Sequence, residues 1–305
     1  MLLSGGTGGA KLARGMLDVL GPDRLAAIVN TADDIEIYGA HVSPDPDLVS
    51  FWLADLIDER GWGIAGDTFA VMEGLRELGV DVWFQLGDRD LAWCIERTRL
   101  ERSGLAPSAA QALLCAQIGV RCPVIPMCEE PYRTIVDGTP LQEHLILGRG
   151  AVREVRFLDA SGRERPPAPA AAAATAIREA RTIVIGPSNP VISIAPILAV
   201  LREPLLAASA PILMVSPIVG GEVLKGPTAA FMAAVGQSAT AAGVLAHYES
   251  LLPGAIAGVL ADEELAPGQE RCVLRTADIA MADAAGRAAV ANEVLALARA
   301  LDAGE

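Results

Sequence analysis

Hydrophobic positions fall along the chain in short unbroken runs, separated by longer stretches where apolar residues recur every three or four positions. Residues 2–4 (LLS), 25–30 (LAAIVN), 80–86 (VDVWFQL), 120–127 (VRCPVIPM), 182–186 (TIVIG), 211–216 (PILMVS), 255–262 (AIAGVLAD) and 272–276 (CVLRT) are such runs. Each reads as a strand buried on both faces. Helical periodicity follows the first run, returns over 49–60, starts again near Asp90, and closes the chain over 283–301. The alanine-rich run 168–176 passes into IREAR, and alanine is the best helix former, so helix then strand is the reading there. Strands alternating with helices of ten or more residues predict a Rossmann-like α/β domain with a mostly parallel, doubly wound sheet. Residues 129–166 are more polar and lack a helical period; VREVRFLDASGRERP reads as a hairpin turning at 159–162. The expectation is one domain with a small inserted hairpin or helical subdomain at about 129–166.

In such a sheet the ligand lies outside the carboxyl ends of the strands, which directs attention to the loops after them. The first is SGGTGG, residues 4–9, running into a helix. Glycines there permit positive φ angles and close approach to a ligand, and a helix start offers free N–H groups and a positive dipole end to an anion. Gly6, Thr7, Gly8 and Lys11 are therefore expected to hold a substrate phosphate, with Asn30 from NTADD beside them. The later loops carry SPDPD (43–47), GDRD (87–90), GPSNP (186–190) and SPIVGG with KGP (216–227), and residues 260–268 read as a loop or short turn. Asp33, Asp34, Asp45, Asp47, Asp88 and Asp90 would gather in one crevice with Lys11 and Arg89 as the nearby cations. So many carboxylates repel one another unless a divalent cation sits among them, and Mg²⁺ suits one or two carboxylates plus phosphate oxygens. The alternative role for each Asp is a cap or turn residue.

Composition narrows the partners. A net charge of −14 and a pI near 4.7 argue against nucleic acid or an anionic membrane surface. With no leader-like opening, no bilayer-length apolar run and five cysteines lacking a CxxC pair, the expectation is a cytoplasmic protein with reduced thiols. His41, His144 and His247 are far apart and no GxSxG elbow accompanies them, which argues against a hydrolase triad. Cys94 reads as core; Trp52 and Trp62 offer flat rings for stacking, with packing as the commoner role.

GGTGGAKLARG, NTADDIEIYGAHVSPDPDL, GWGIAGDTFAVMEGLRELG, LGDRDLA, GPSNPVISIAPIL and SPIVGG…KGP resemble, in that order, the CofD family of coenzyme F-420 biosynthesis. The resemblance implies a transferase that moves a phospho-three-carbon acid, phosphoenolpyruvate or 2-phospho-L-lactate, from a guanosine diphospho-linked donor. The acceptor would be the terminal hydroxyl of the deazaflavin Fo, with GMP leaving and F-420-0 or its dehydro form as product. By motif it implies Asp47 and Asp33 at a Mg²⁺ site, Asp47, Asp88 and Arg89 in catalysis, and Ser188 and Asn189 as donor-side contacts. Where archaeal relatives are expected to carry a basic residue, this chain has Gln85 at the acceptor side. The resemblance and the mean hydropathy of +0.38 together imply a homodimer. Two other readings compete. A nucleotide-sugar-binding regulator of the same superfamily would have a Gly/Ser-rich stretch after the two aspartates, where Ile35-Glu36-Ile37-Tyr38 stands here. A nicotinamide dehydrogenase would use an acidic residue such as Asp33, about 20 residues past the glycines, to bind ribose.

Overall fold

The computed structural model describes residues 1–148, 150–220, 222–223, 227–265 and 272–303. In chain order the first half carries β1 (Leu2–Ser4), α1 (Gly6–Leu20), β2 (Ala27–Val29), β3 (Ile35–Ile37), β4 (Ala40–Val42), α2 (Pro44–Leu53), α3 (Ala70–Glu77), α4 (Asp88–Arg102), α5 (Pro107–Gln117) and β5 (Val124–Pro126). Then follow β6 (Tyr132–Val136), β7 (Thr139–Pro140), α6 (Leu141–Ile146), β8 (Val155–Asp159), α7 (Ala171–Glu179) and β9 (Ile183–Ile185). A π-helical turn at Pro190–Ile194 leads to α8 (Ala195–Val200), α9 (Arg202–Leu206), β10 (Ile212–Val215), β11 (Ile218–Val219) and β12 (Glu222–Val223). The chain closes with α10 (Thr228–Ala234), α11 (Ala241–Leu251), β13 (Ile256–Ala261), β14 (Val273–Thr276) and α12 (Ala284–Ala303).

Seven of the eight apolar runs pair into one sheet of order β14-β13-β10-β9-β1-β2-β5, and every pairing in it is parallel. Side chains alternate across it, as a two-residue period demands. Leu3, Ile28, Ile183, Ile185, Ile212 and Met214 enter one core with the helices of residues 171–205 and 228–251. Leu2, Ala27, Val29, Val184, Leu213 and Val215 enter the other, under α1, α2, α5 and α12. This is the doubly wound Rossmann-like α/β fold. Strand order reverses between β1 and β9, because the chain lays β2 and β5 on one side of β1 and β9, β10, β13 and β14 on the other. The switch point therefore brings the glycine loop after β1 against GPSNP after β9.

Two local expectations differ from what forms, and one hairpin was not foreseen. Residues 80–86 form no strand: they lie between α3 and α4, with the Phe84 N–H donating to the Tyr38 hydroxyl at 3.1 Å rather than to a sheet neighbour. IEIYGAHV is a hairpin, β3 against β4, whose two-residue turn holds Tyr38 at φ +53° and Gly39 at φ +79°. Positive φ at both central residues is the turn geometry that matches strand twist. Finally, the turn at 159–162 forms, with the Asp159 N–H donating to the Arg163 carbonyl at 2.8 Å, but β8 takes β6 as its antiparallel strand partner and the two make a three-stranded sheet with β7. Lys225 and Gly226 of the KGP motif and residues 266–268 of the expected turn lie outside the described residues.

The glycines of the first loop are needed mainly by the protein's own packing. A Cβ on Gly8 would stand 1.9 Å from the Pro187 carbonyl oxygen, and one on Gly9 would stand 2.4 Å from both the Ser188 and Ser4 hydroxyls. Gly8→Ala is expected to lose about 1–3 kcal/mol through overpacking against backbone. Gly74→Ala, in α3 with open space around it, should gain about 1 kcal/mol of helix propensity. Urea unfolding of the two variants checks the pair; equal effects would contradict the close approach at the switch point.

Candidate active site

The site begins where β1 stops. Gly5 precedes α1, and Gly6, at φ +55°, is the residue of the loop that needs the left-handed region. The Gly5 N–H donates to the Ser188 hydroxyl at 3.1 Å, and the Gly6 N–H donates to Asp45 Oδ1 at 2.7 Å. Asn30, just past β2, donates from Nδ2 to Asp45 Oδ2 at 2.9 Å and to the Ile192 carbonyl at 3.4 Å, while its Oδ1 accepts from the Ala32 N–H. Asp45 is thus fixed at the positive end of α1 by a backbone amide and a side-chain amide. Burial nevertheless pushes its carboxyl up to about 6 against those two hydrogen bonds.

Two more carboxylates share the crevice. Asp33 is buried, accepts a hydrogen bond from the Thr134 hydroxyl at 3.3 Å, and is pushed well above the carboxylate range by burial and by the charges of Asp45 and Asp34. Asp34 accepts from the Ser43 hydroxyl at 2.7 Å and meets His41 Nε2 at 3.1 Å; burial raises it and His41 opposes the rise. The other ring nitrogen of His41 lies 2.7 Å from Glu101 Oε2. Burial resists charging that ring, but the two carboxylates outweigh it and raise His41 to about 10, so it is a cation at neutral pH.

Asp47 goes elsewhere, correcting the expectation that it faces the crevice. Residues 45 and 47 lie in the first turn of α2, and two helical steps turn a side chain by about 200°. With Asp45 on the glycine loop, Asp47 points at α4. There it accepts from Trp93 Nε1 at 2.7 Å and forms a two-pronged ion pair with Arg97, whose Nη1 is at 3.0 Å and whose Nη2 also bonds the other oxygen. Arg97 donates further to Gln111 Oε1 at 3.2 Å and is 2% exposed. Asp47, Asp90 and Cys94 place ligand atoms within 4.8 Å of one another. Asp47 is already neutralised by Arg97, however, and burial holds the Cys94 thiol protonated, so this group is poorly suited to a metal. Asp33, Asp34 and Asp45 offer oxygen alone, the ligand type Mg²⁺ prefers, but their carboxylates do not converge as closely as that group does.

Most other expected site residues are engaged by the protein itself. Lys11 Nζ donates to the Met281 carbonyl at 3.1 Å, beside Trp52. Arg89 donates to the Ala65 carbonyl at 3.1 Å. Asp88 accepts the Ala70 and Val71 N–H groups and the Thr68 hydroxyl, while Asp67 accepts the Arg89 and Asp90 N–H groups. The two aspartates cap each other's helices, α3 and α4. A Cβ on Gly87 would strike Asp67 at 2.1 Å, which accounts for the glycine of GDRD. The Asn189 side chain accepts the Val191 and Ile192 N–H groups, and Gln85 is exposed. Gly6 and Asn30 bond Asp45, Ser188 bonds Gly5 beside them, and Thr7 and Gly8 continue the first turn of α1. Of His41 and Arg97, the cations that balance the buried aspartates, the first was already a candidate to line the site and the second was missed. Trp93 and Arg97 at helical spacing i, i+4 were the available signal for the second.

A doubly wound sheet with an acidic, oxygen-lined crevice at its switch point defines an α/β enzyme suited to phosphorylated small molecules. The chain matches the family described as 2-phospho-L-lactate transferase CofD over residues 1–293 and belongs to it. It is a transferase, and the expectation of a place in coenzyme F-420 biosynthesis stands. It is 38% identical to a phosphoenolpyruvate transferase of Streptomyces griseus, over 98% of each chain. It is 34% identical to a 2-phospho-L-lactate transferase of Methanosarcina mazei, over 83% of this chain and 84% of that one. A crystal structure of a UPF0052-family protein from Bacillus halodurans shares the fold, with a TM-score of 0.62 and 16% identity over 96% of this chain and 97% of that one. Among the described residues no helix is long and apolar enough to cross a membrane.

Removing Arg97 strands a buried charge, so Arg97→Met should cost about 3–5 kcal/mol in urea unfolding, and adding Asp47→Leu should return much of it. No rescue by the double variant would contradict the pair. The pH response follows from the same burial. Burial pushes Asp45 up to about 6, and burial with the Asp47 charge pushes Asp90 up to about 7, so both hold protons in the fold that an unfolded chain has released. Protonated His41, raised to about 10, stabilises the fold at low pH and loses that contribution as pH climbs. All three signs agree, and in EDTA the Tm should fall between about pH 5 and about pH 8. A Tm rising over that interval would be the wrong sign.

Proposed function

We propose that this protein transfers a phosphoenolpyruvyl group from a guanosine diphospho-linked donor to the terminal hydroxyl of the deazaflavin Fo, releasing GMP. In the reaction the hydroxyl oxygen bonds to the distal phosphorus, the phosphoric anhydride bond breaks, and the hydroxyl proton leaves. The observation that carries the reading is the meeting of three buried carboxylates with the start of α1 at the switch point, in a chain of the CofD family. Extra buried negative charge at a site for a diphosphate is intelligible if a divalent cation joins the two. Asp45, with Asp33 or Asp34, would hold Mg²⁺, which supplies charge neutralisation at the diphosphate. Ser4 Oγ, buried beneath the loop with no partner among the described residues, fits a floor that still has polar capacity to spend. The first-turn amides of α1 beyond Gly6 are oriented toward an anion.

The choice of phosphoenolpyruvate over 2-phospho-L-lactate rests on the bacterial relative, whose full length aligns with this chain. Parallel assays with the two guanosine donors distinguish them. Cytoplasmic location fits the five unpaired cysteines. A homodimer fits the exposed run Leu145, Ile146 and Leu147 beyond the sheet edge, and sedimentation as a monomer at micromolar concentration would dismiss it.

The mechanism separates two neighbouring aspartates. Asp45→Asn removes the metal-binding charge and turns one of two accepting oxygens into a donor facing Gly6 or Asn30, so turnover should fall on the order of a hundredfold with only a small loss of Tm. Asp47→Asn should lower Tm first, because it leaves Arg97 buried without its counter-charge. Turnover in Asp45→Asn that is near normal and insensitive to EDTA would refute the metal-dependent mechanism.

A further inference from the structure

The geometry points to Trp62 as a stacking platform for the flat heteroaromatic ring of one of the two substrates. Among the described residues it is the one aromatic side chain more than a third exposed, at 50%. That exposure is not looseness. The loop carrying it is closed at its base by a bridge between Ile57 and Ile64 and by the Asp58 N–H donating to the Gly63 carbonyl at 3.1 Å. Inside, the Gly61 N–H donates to the Asp58 carbonyl at 2.8 Å. Asp58 Oδ1 accepts from both the backbone N–H of Arg60, at 3.0 Å, and its Nε, at 2.6 Å. So held, the Arg60 guanidinium lies 4.3 Å from the centroid of the Trp62 ring and covers one face of it. An indole fixed from one side and left half in solvent is a surface prepared for another flat group.

Its position ties it to the crevice. Gly61, at φ +88°, turns its backbone against α1: a Cβ there would be 3.8 Å from Thr7 Cγ2, in the first turn of that helix. The same loop is anchored on its far side, where the Ala65 carbonyl accepts from Arg89. The residue before Trp62 therefore packs on the first turn of the helix whose Gly6 amide meets Asp45. This assignment rests on the proposed substrates, both of which carry a planar ring: deazaflavin in the acceptor and guanine in the donor. Stacking recognises either ring by its π-face, and the test distinguishes them.

Trp62→Ala and Trp62→Phe, made in the full chain, are compared with wild type for binding of Fo alone, by its fluorescence, and of GDP alone, by calorimetry. Steady-state transfer is then measured. Trp62→Ala should weaken one of the two compounds about tenfold and raise the KM of the matching substrate alike, with kcat within about twofold, and Trp62→Phe should recover most of the loss. A loss for Fo identifies deazaflavin as the stacked ring; a loss for GDP identifies guanine. Unchanged binding of both overturns the platform, as does a fall in kcat with both KM values intact or a Tm drop in Trp62→Ala. Wild-type protein that binds Fo or GDP through Trp62 yet transfers nothing would overturn the proposed reaction and leave the platform standing.

Discussion

The hydrogen bond from the Gly6 amide to Asp45 joins the first helix of the sheet to the start of α2, and much of the surrounding design answers to it. It puts a carboxylate at the positive end of α1, where charge is favoured, but in a place that is buried, where charge is not. Asn30 supplies the second donor. Space for this arrangement exists only because Gly5 has no side chain: a Cβ there would stand 2.6 Å from Asp45 Oδ2. Asp33 and Asp34 then bring further negative charge to the same floor, and the fold tolerates it by holding protons and by importing cations.

Those cations come from the layer that packs outside the main sheet. The β3–β4 hairpin brings His41 to Asp34, and α4 brings Arg97 to Asp47. Both elements belong to a third core, built on Phe51, Met72, Leu91, Trp93 and Leu114, separate from the two that line the sheet. Reciprocal capping by Asp67 and Asp88 fixes α3 against α4 in that layer. GDRD thus starts and fixes the helix that carries Arg97.

An acidic crevice in a chain of net charge −14 is an unusual place for a diphosphate unless a cation mediates. Of the protein's own cations, Arg97 is paired with Asp47, His41 lies between Asp34 and Glu101, Lys11 donates to the Met281 carbonyl and Arg89 to the Ala65 carbonyl. What is left over at the site is oxygen, which is the preference of Mg²⁺.

The strands of the sheet were legible because their signal is local: an apolar run of strand length, covered on both sides, needs no knowledge of its neighbours. The glycine loop and GPSNP were legible as loops for the same reason, and the winding rule placed both at the site. Residues 80–86 misled because they carry the same apolar signal but acquire no strand partner. IEIYGAHV was passed over because its turn uses Tyr38 at positive φ, which tyrosine rarely adopts. Which aspartate meets which partner could not be read at all. Asp45 and Asp47 are chemically identical and two positions apart, and only the docking of α2 sends one to Gly6 and the other to Arg97, 50 residues away in the chain. Burial likewise comes from tertiary packing, and it is burial that turns ordinary carboxylates into ones that hold their protons. Composition and periodicity decided the elements and the end of the sheet at which chemistry occurs; the pairing of charges across distant segments decided what each residue there does.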